Sequence, residues 1–161
     1  MLNVWSVCVG DKYRDEDVYI LRDMVARNCG PHNFHCLSDR NIPDIDCLIP
    51  QESWPGWWAK LLLFKYATGP CLYFDLDVVI VGPLDGLVSK RLAMPANWGQ
   101  SGHGGCQSSV MSWGQDYDGL HKNFDPADLL TTSERHSCGR FRGLWGDQEY
   151  IAKLMGAPGE A

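Results

Sequence analysis

Apolar and polar positions change period several times along the chain, and each change predicts an element. Residues 3–9, NVWSVCV, alternate and then run apolar, which predicts a first β-strand. Asp15, Glu16 and Asp17 follow, then Val18, Leu21 and Val25 at helical spacing, then a Gly30-Pro31 stop. That pattern predicts a helix of about three to four turns, with an acidic start that suits the positive end of the helix dipole. HNFHCLSD, 32–39, predicts a short second strand, and 40–53, broken by Pro43 and Pro50, an ordered loop. PGWWAKLLLFKYATG is apolar nearly all round, which predicts a buried helix with Pro55 at its first position and a stop at Gly69-Pro70.

The next run, LYFDLDVVIVG from Leu72 to Gly82, has eight apolar residues in eleven and predicts a strand, starting at Cys71, that is buried on both faces. Further on, the pattern predicts a short strand at 90–94, a glycine-rich loop at 98–107 and a strand at 108–113, SSVMSW. A polar region then runs to about Gly143, and a last helix spans Asp147 to Met155. Strands alternating with helices in the first half predict an α/β fold with a largely parallel sheet, in a single domain over 1–161.

Asp75 and Asp77 interrupt the apolar run. An ionised carboxylate buried without a partner costs several kcal/mol or more. Residues two apart on a strand point the same way, so the pair would sit side by side, and two like charges that close repel unless a cation lies between them. A divalent ion with hard oxygen ligands, Mg²⁺ or Mn²⁺, resolves the conflict and takes further ligands from phosphates. Ligands of open α/β sheets bind beyond the carboxyl ends of strands, where Cys71–Phe74 would deliver the pair. The plainer reading makes both aspartates turn formers at a strand end. Lys60 is the second anomaly, a cation on an apolar helix beside Trp57 and Phe64. It either snorkels to water or faces a diphosphate. Trp54, Trp57 and Trp58 cluster on a buried helix, where tryptophans are more often core.

Composition narrows the classes. With 161 residues, 45% of them hydrophobic, the chain can bury a core. A net charge of −6 without a basic run argues against nucleic acid as a partner. No apolar run approaches the roughly 20 residues of a membrane span, and the first residues lack a secretory pattern. Seven cysteines, an odd number without a CxxC, read as free thiols in a reducing cytosol, so a cytoplasmic location is expected. P-loop, GxGxxG and HExxH patterns are missing, GQSGH at 99–103 falls short of GxSxG, and no Thr follows the aspartates as phosphatases of the haloacid-dehalogenase type require.

Four segments taken in order carry a resemblance: VCVGDKY at 7–13, WWAKLLLF at 57–64, LYFDLDVVIVGPLDGL at 72–87 and GDQEYI at 146–151. The chain resembles the nucleotide-sugar glycosyltransferases of the GT-A fold, most of all glycosyltransferase family 8, the glycogenin and bacterial galactosyltransferase group with its small bacterial and phage relatives. The likeness covers roughly the whole chain and is thin between 115 and 140. It implies a GT-A, Rossmann-like sheet flanked by helices, and metal-dependent transfer of a sugar from a nucleoside-diphosphate sugar, by family usage a UDP-sugar. The acceptor would be a hydroxyl of unknown kind, and transfer would retain configuration. It further implies that Val9, Asp11 and Tyr13 hold the nucleotide, with Tyr13 on the base, and that Lys60 contacts the sugar nucleotide. Asp75 and Asp77 would bridge Mn²⁺ or Mg²⁺ to the diphosphate, Gln107 and Ser108 would line the donor sugar, and Asp147 and Gln148 would meet it near the reacting carbon.

One family feature does not match. The family's third metal ligand is a His downstream of the Asp-Gln helix, whereas the thirteen residues after Gln148 contain none and the last histidine is His136. A truncated chain, a different ligand or water, or a relative without catalysis would each account for this. The alternative expectation is therefore a glycosyltransferase-like module that binds a nucleotide or a protein without turnover.

Overall fold

The computed structural model describes residues 1–97, 99, 105–130 and 138–156. They divide into two compact units, one from Met1–Ser53, Ala67–Ala93 and Ser109–Asp116, the other from Trp54–Tyr66, Met94–Ser108 and Tyr117–Ala161.

The first unit contains β1 (Leu2–Cys8), α1 (Asp15–Asn28), β2 (His32–Ser38), β3 (Asp46–Leu48), β4 (Cys71–Phe74) and β5 (Val110–Trp113). Its five-stranded sheet has the order β3-β2-β1-β4-β5. The first four strands are parallel, and β5 runs antiparallel to β4 with Leu72 opposite Ser112. Helix α1 starts where the acidic triplet predicts. The backbone N–H of Arg14 donates to Asp17 Oδ2 at 2.8 Å, which satisfies a group just outside the helical ladder. Val18, Leu21 and Val25 are fully buried and pack with Val4, Cys8, Cys36, Leu72 and Phe74 into the core of this unit.

The apolar run from Leu72 to Gly82 is not one strand. β4 ends at Phe74, the carbonyl of Asp75 accepts from the N–H of Val78 at 3.1 Å to close a turn, and Val79 and Val81 are 72% and 91% exposed. Leu76 is buried, and Val78 and Ile80 pack against the core, so one side of the segment faces inward. A strand lasts only while neighbours complete its ladder. β1 pairs with Cys71–Tyr73 and β5 with Cys71–Phe74, and there both ladders stop.

Smaller differences follow the same physics. The loop expected at 40–53 contains β3, three residues long and too short to show a period. The strand expected at 90–94 is a single bridge between Ala93 and Ser112, and the one expected from 108 begins at Val110. Most of the glycine-rich loop expected at 98–107 lies outside the described residues.

In the second unit the segment after Pro55 is buried, as its composition predicts, but not as one α-helix. It is a 3-10 helix, Gly56–Leu62, running into a single α-turn, α2 (Leu63–Tyr66). Gly56 has φ +54°, far from the α-helical −63° or so, and a Cβ there would lie 2.1 Å from Cys138 Sγ. Pro55 is therefore the cap and not the first helical residue. The polar region to Gly143 holds α3 (Asp118–Lys122) and the antiparallel pair β6 (Leu129–Leu130) and β7 (Arg140–Phe141), none of them predicted. The final helix appears as expected, as α4 (Asp147–Leu154). Aromatic rings form this unit's core: Phe124 lies 4.9 Å from Trp58 and 4.6 Å from Phe141, and Tyr150 stands edge-on to Phe141 at 5.4 Å. Trp58 Nε1 donates to the carbonyl of Cys138 at 3.0 Å. Trp54 and Trp58 are thus core residues. Among the described residues no helix is long and apolar enough to cross a membrane.

Candidate functional site

In the first unit the chain leaves β1 on one side to form β2 and returns on the other side as β4. The carboxyl ends of β1 and β4 therefore flank the point where strand order reverses, the usual ligand crevice of an open α/β sheet. Val9, Gly10, Asp11, Lys12 and Tyr13 follow β1 directly, and Asp75 and Asp77 follow β4. Gly10 turns the loop with φ +70°, which glycine adopts without strain, and its N–H donates to Asp39 Oδ2 at 2.7 Å. Val9 is half-buried and Asp11 exposed.

Tyr13 links the two strand ends. Its ring packs against the core and its hydroxyl donates to Asp77 Oδ2 at 2.7 Å. Lys12 Nζ lies 2.6 Å from the same hydroxyl and 3.6 Å from the same carboxylate oxygen. Partial burial alone would raise the pKa of Asp77, but the Tyr13 hydrogen bond and the Lys12 charge outweigh it and hold the group below its ordinary value of 3.8. Asp75 is half-buried, and its Oδ1 accepts from the hydroxyl of Tyr73. Each aspartate thus has a tyrosine, and the pair lies at the edge the sequence predicts, around a turn and not along a strand.

Beside them is an open hollow of about 400 Å³ lined by Gly10, Asp11, Tyr13, Arg14, Asp15, Glu16 and Arg40. Arg40, which follows β2, organises its wall. The guanidinium reaches Asp15 Oδ1 at 2.9 Å, the carbonyls of Gly10 and Tyr13 at 3.3 Å each, and Asp39 Oδ1 at 3.2 Å.

If a Mg²⁺ or Mn²⁺ ion binds here, Asp75 and Asp77 are the residues that would hold it. Such ions bind through one or two carboxylates and keep positions for water and phosphate, and Asp77 is held in its ionised form. Among the described residues no group of three or more His, Cys, Asp or Glu could hold a metal, which is a poor match to an all-protein zinc cage.

The second unit holds the other expected residues. Lys60 is only 8% exposed, its Nζ donates to Ser108 Oγ at 3.3 Å and lies 3.6 Å from Asp147 Oδ2. Lys60 does not snorkel; it is buried against a counter-charge. Asp147, 4% exposed, is the first residue of α4, and Gly146 is the cap. Gln148 is half-buried next to it, and its carbonyl accepts from Cys106 Sγ at 3.8 Å. Gln107 is exposed, with its N–H donating to the carbonyl of Pro95 at 2.9 Å. The structure thus gathers Val9, Asp11, Tyr13, Asp75 and Asp77 in one unit and Lys60, Ser108, Asp147 and Gln148 in the other. His136, most of GQSGH and all but the first residue of the GAPGEA tail lie outside the described residues.

Four residues escaped the sequence reading: Lys12, Asp39, Arg40 and Tyr73. The one signal was the Asp39-Arg40 pair at the end of a predicted strand.

No family model matches the chain, and no curated protein does. Solved structures do match. The apo-form glycosyltransferase GlyE of Streptococcus pneumoniae TIGR4 superposes with a TM-score of 0.62 at 16% identity over 95% of this chain and 42% of its own. The galactosyltransferase LgtC, solved with donor and acceptor sugar analogs, gives 0.59 at 14% identity over 94% of this chain and 70% of its own. The chain has the GT-A glycosyltransferase fold. An active-site mutant of LgtC agrees, with a TM-score of 0.52 at 14% identity over 76% of this chain and 60% of its own. This chain spans less than half the length of GlyE.

Proposed function

We propose that the protein is a metal-dependent glycosyltransferase that moves a sugar from a nucleoside-diphosphate sugar, most simply a UDP-sugar, to an acceptor hydroxyl with retention of configuration. The observation that carries this reading is the placement of Asp75 and Asp77 beyond the carboxyl end of β4, beside Tyr13 at the reversal of strand order. Asp75 and Asp77 would hold the Mn²⁺ or Mg²⁺. That ion, when bound, would supply Lewis-acid neutralisation of the leaving diphosphate. Val9, Asp11 and Tyr13, on the loop that Arg40 braces, would bind the nucleotide. Lys60 would favour the diphosphate's charge, Gln107 and Ser108 would line the donor sugar, and Asp147 and Gln148 would orient it at the reacting carbon. A donor and an acceptor sugar analog are bound in LgtC, which supports looking for both kinds of partner here.

A second reading has an observation of its own. Lys60 and Asp147 bury and neutralise each other, as a purely structural pair would, and this suits a module that binds nucleotide without turnover. Calorimetric titration of UDP with Mn²⁺, then with EDTA, tests the first half of either reading. Metal-dependent binding supports it, and no binding in either condition overturns it. A screen of UDP-sugars for hydrolysis or transfer then separates enzyme from module.

A further inference from the structure

Asp75 and Asp77 are held in unlike ways. Asp77 is exposed, and Tyr13 and Lys12, which reach it, come from the loop after β1. The main chain of Asp75, by contrast, is pinned on both sides: its N–H donates to the carbonyl of Ser109 at 2.9 Å and its carbonyl accepts from Val78. Its side chain accepts from the hydroxyl of Tyr73, two residues earlier on β4. Tyr73 is 1% exposed and lies between Trp5 of β1 and Met111 of β5 in the sheet register. The hydroxyl is thus carried by a buried residue with neighbours on both sides. We propose that Tyr73 is a positioning residue, whose hydroxyl fixes the carboxylate of Asp75 in the orientation that a divalent cation uses.

The proposal rests on Asp75 being a metal ligand. Hydrogen-bond partners of metal-binding side chains set ligand orientation, and their loss commonly costs about 10–100-fold in metal affinity. The competing role is structural: a buried tyrosine hydroxyl needs an acceptor, and Asp75 happens to supply one. The two roles differ in what Tyr73→Phe changes, because that substitution keeps the ring and removes only the hydroxyl.

The test measures Mn²⁺ affinity of the whole chain in the presence of UDP, from the electron paramagnetic resonance signal of the free ion, together with thermal unfolding. Tyr73→Phe should weaken Mn²⁺ binding roughly tenfold while shifting the melting temperature by less than about 4 °C. In an Asp75→Asn background, the same substitution should leave the residual binding unchanged. Unaltered affinity in Tyr73→Phe overturns the proposal and leaves the metal reading standing. So does a loss of equal size in the Asp75→Asn background, or a Tyr73→Phe chain that no longer gives a folded near-ultraviolet spectrum. If the unaltered chain binds no Mn²⁺, the metal reading itself falls, and the proposal with it.

Discussion

The aspartates were legible because they break a rule. Two carboxylates in an apolar run would demand compensation if buried; the structure leaves Asp75 half-buried and Asp77 exposed, with a tyrosine hydroxyl on each. The compensating groups were not legible, since Tyr13 and Asp77 meet across 64 residues of sequence and nothing local to either announces the other. The same holds for Arg40, whose value lies in the loop it ties down. For Asp77 the folded pKa is lowered, first against the burial that would raise it and then by Tyr13 and Lys12. A lowered carboxylate pKa adds stability that is present above the unfolded value and is lost as pH falls through the folded one. Asp77 is well exposed, so that contribution is small, but the titration itself can be followed. Carboxylate-carbon NMR should show Asp77 titrating below 3.8, with its midpoint moved upward in both Tyr13→Phe and Lys12→Gln. A midpoint untouched by either change would mean that these neighbours do not hold the carboxylate.

Strands and helices were legible where their period ran for two turns or more and had a clear stop. Helix α1, with its acidic start and its Val18, Leu21 and Val25 stripe, and helix α4 were readable for that reason. Where tertiary pairing decides, composition misled. The valines and isoleucine after Asp77 carry strand propensity, yet the ladder partners run out at Phe74, and propensity does not replace partners. The helix after Pro55 failed in another way: Gly56 enters with a positive φ, and the turns that follow are 3-10 up to Leu62. The end of β4 can be tested by substitution. Leu72→Ala, at a fully buried position inside the strand, should cost about 3 kcal/mol. Val81→Ala, at 91% exposure, should change stability by less than about 0.5 kcal/mol. Urea unfolding measures both. Comparable losses at the two sites would mean that the strand continues through Val81 in solution.

The order of its elements made an α/β fold with a largely parallel sheet legible, the resemblance implied the GT-A form of it, and the matches to GlyE and LgtC at 16% and 14% identity agree. Such low identity does not carry residue roles across, and the local chemistry bears only on Asp75 and Asp77: where they fall beyond β4, which hydroxyls hold them, and what loop lies beside them. That chemistry makes a claim about the folded state that needs no knowledge of the acceptor. A ligand that binds only the native state stabilises it, by about 2.7 kcal/mol at a hundredfold excess over its dissociation constant. For a chain of this size that corresponds to a rise in melting temperature of roughly 5–10 °C. UDP together with Mn²⁺ should produce such a rise, EDTA should abolish it, and uridine, which lacks the diphosphate, should give no metal-dependent rise at all. Because the metal would be shared between the carboxylates and the phosphates, Asp77→Ala should remove the effect as completely as EDTA does. A rise of the same size with and without metal would mean that the nucleotide binds through its base and ribose alone. In that case Asp75 and Asp77 would serve to hold the turn after β4, and the chain would read as a nucleotide-binding GT-A domain and not as a metal-dependent transferase.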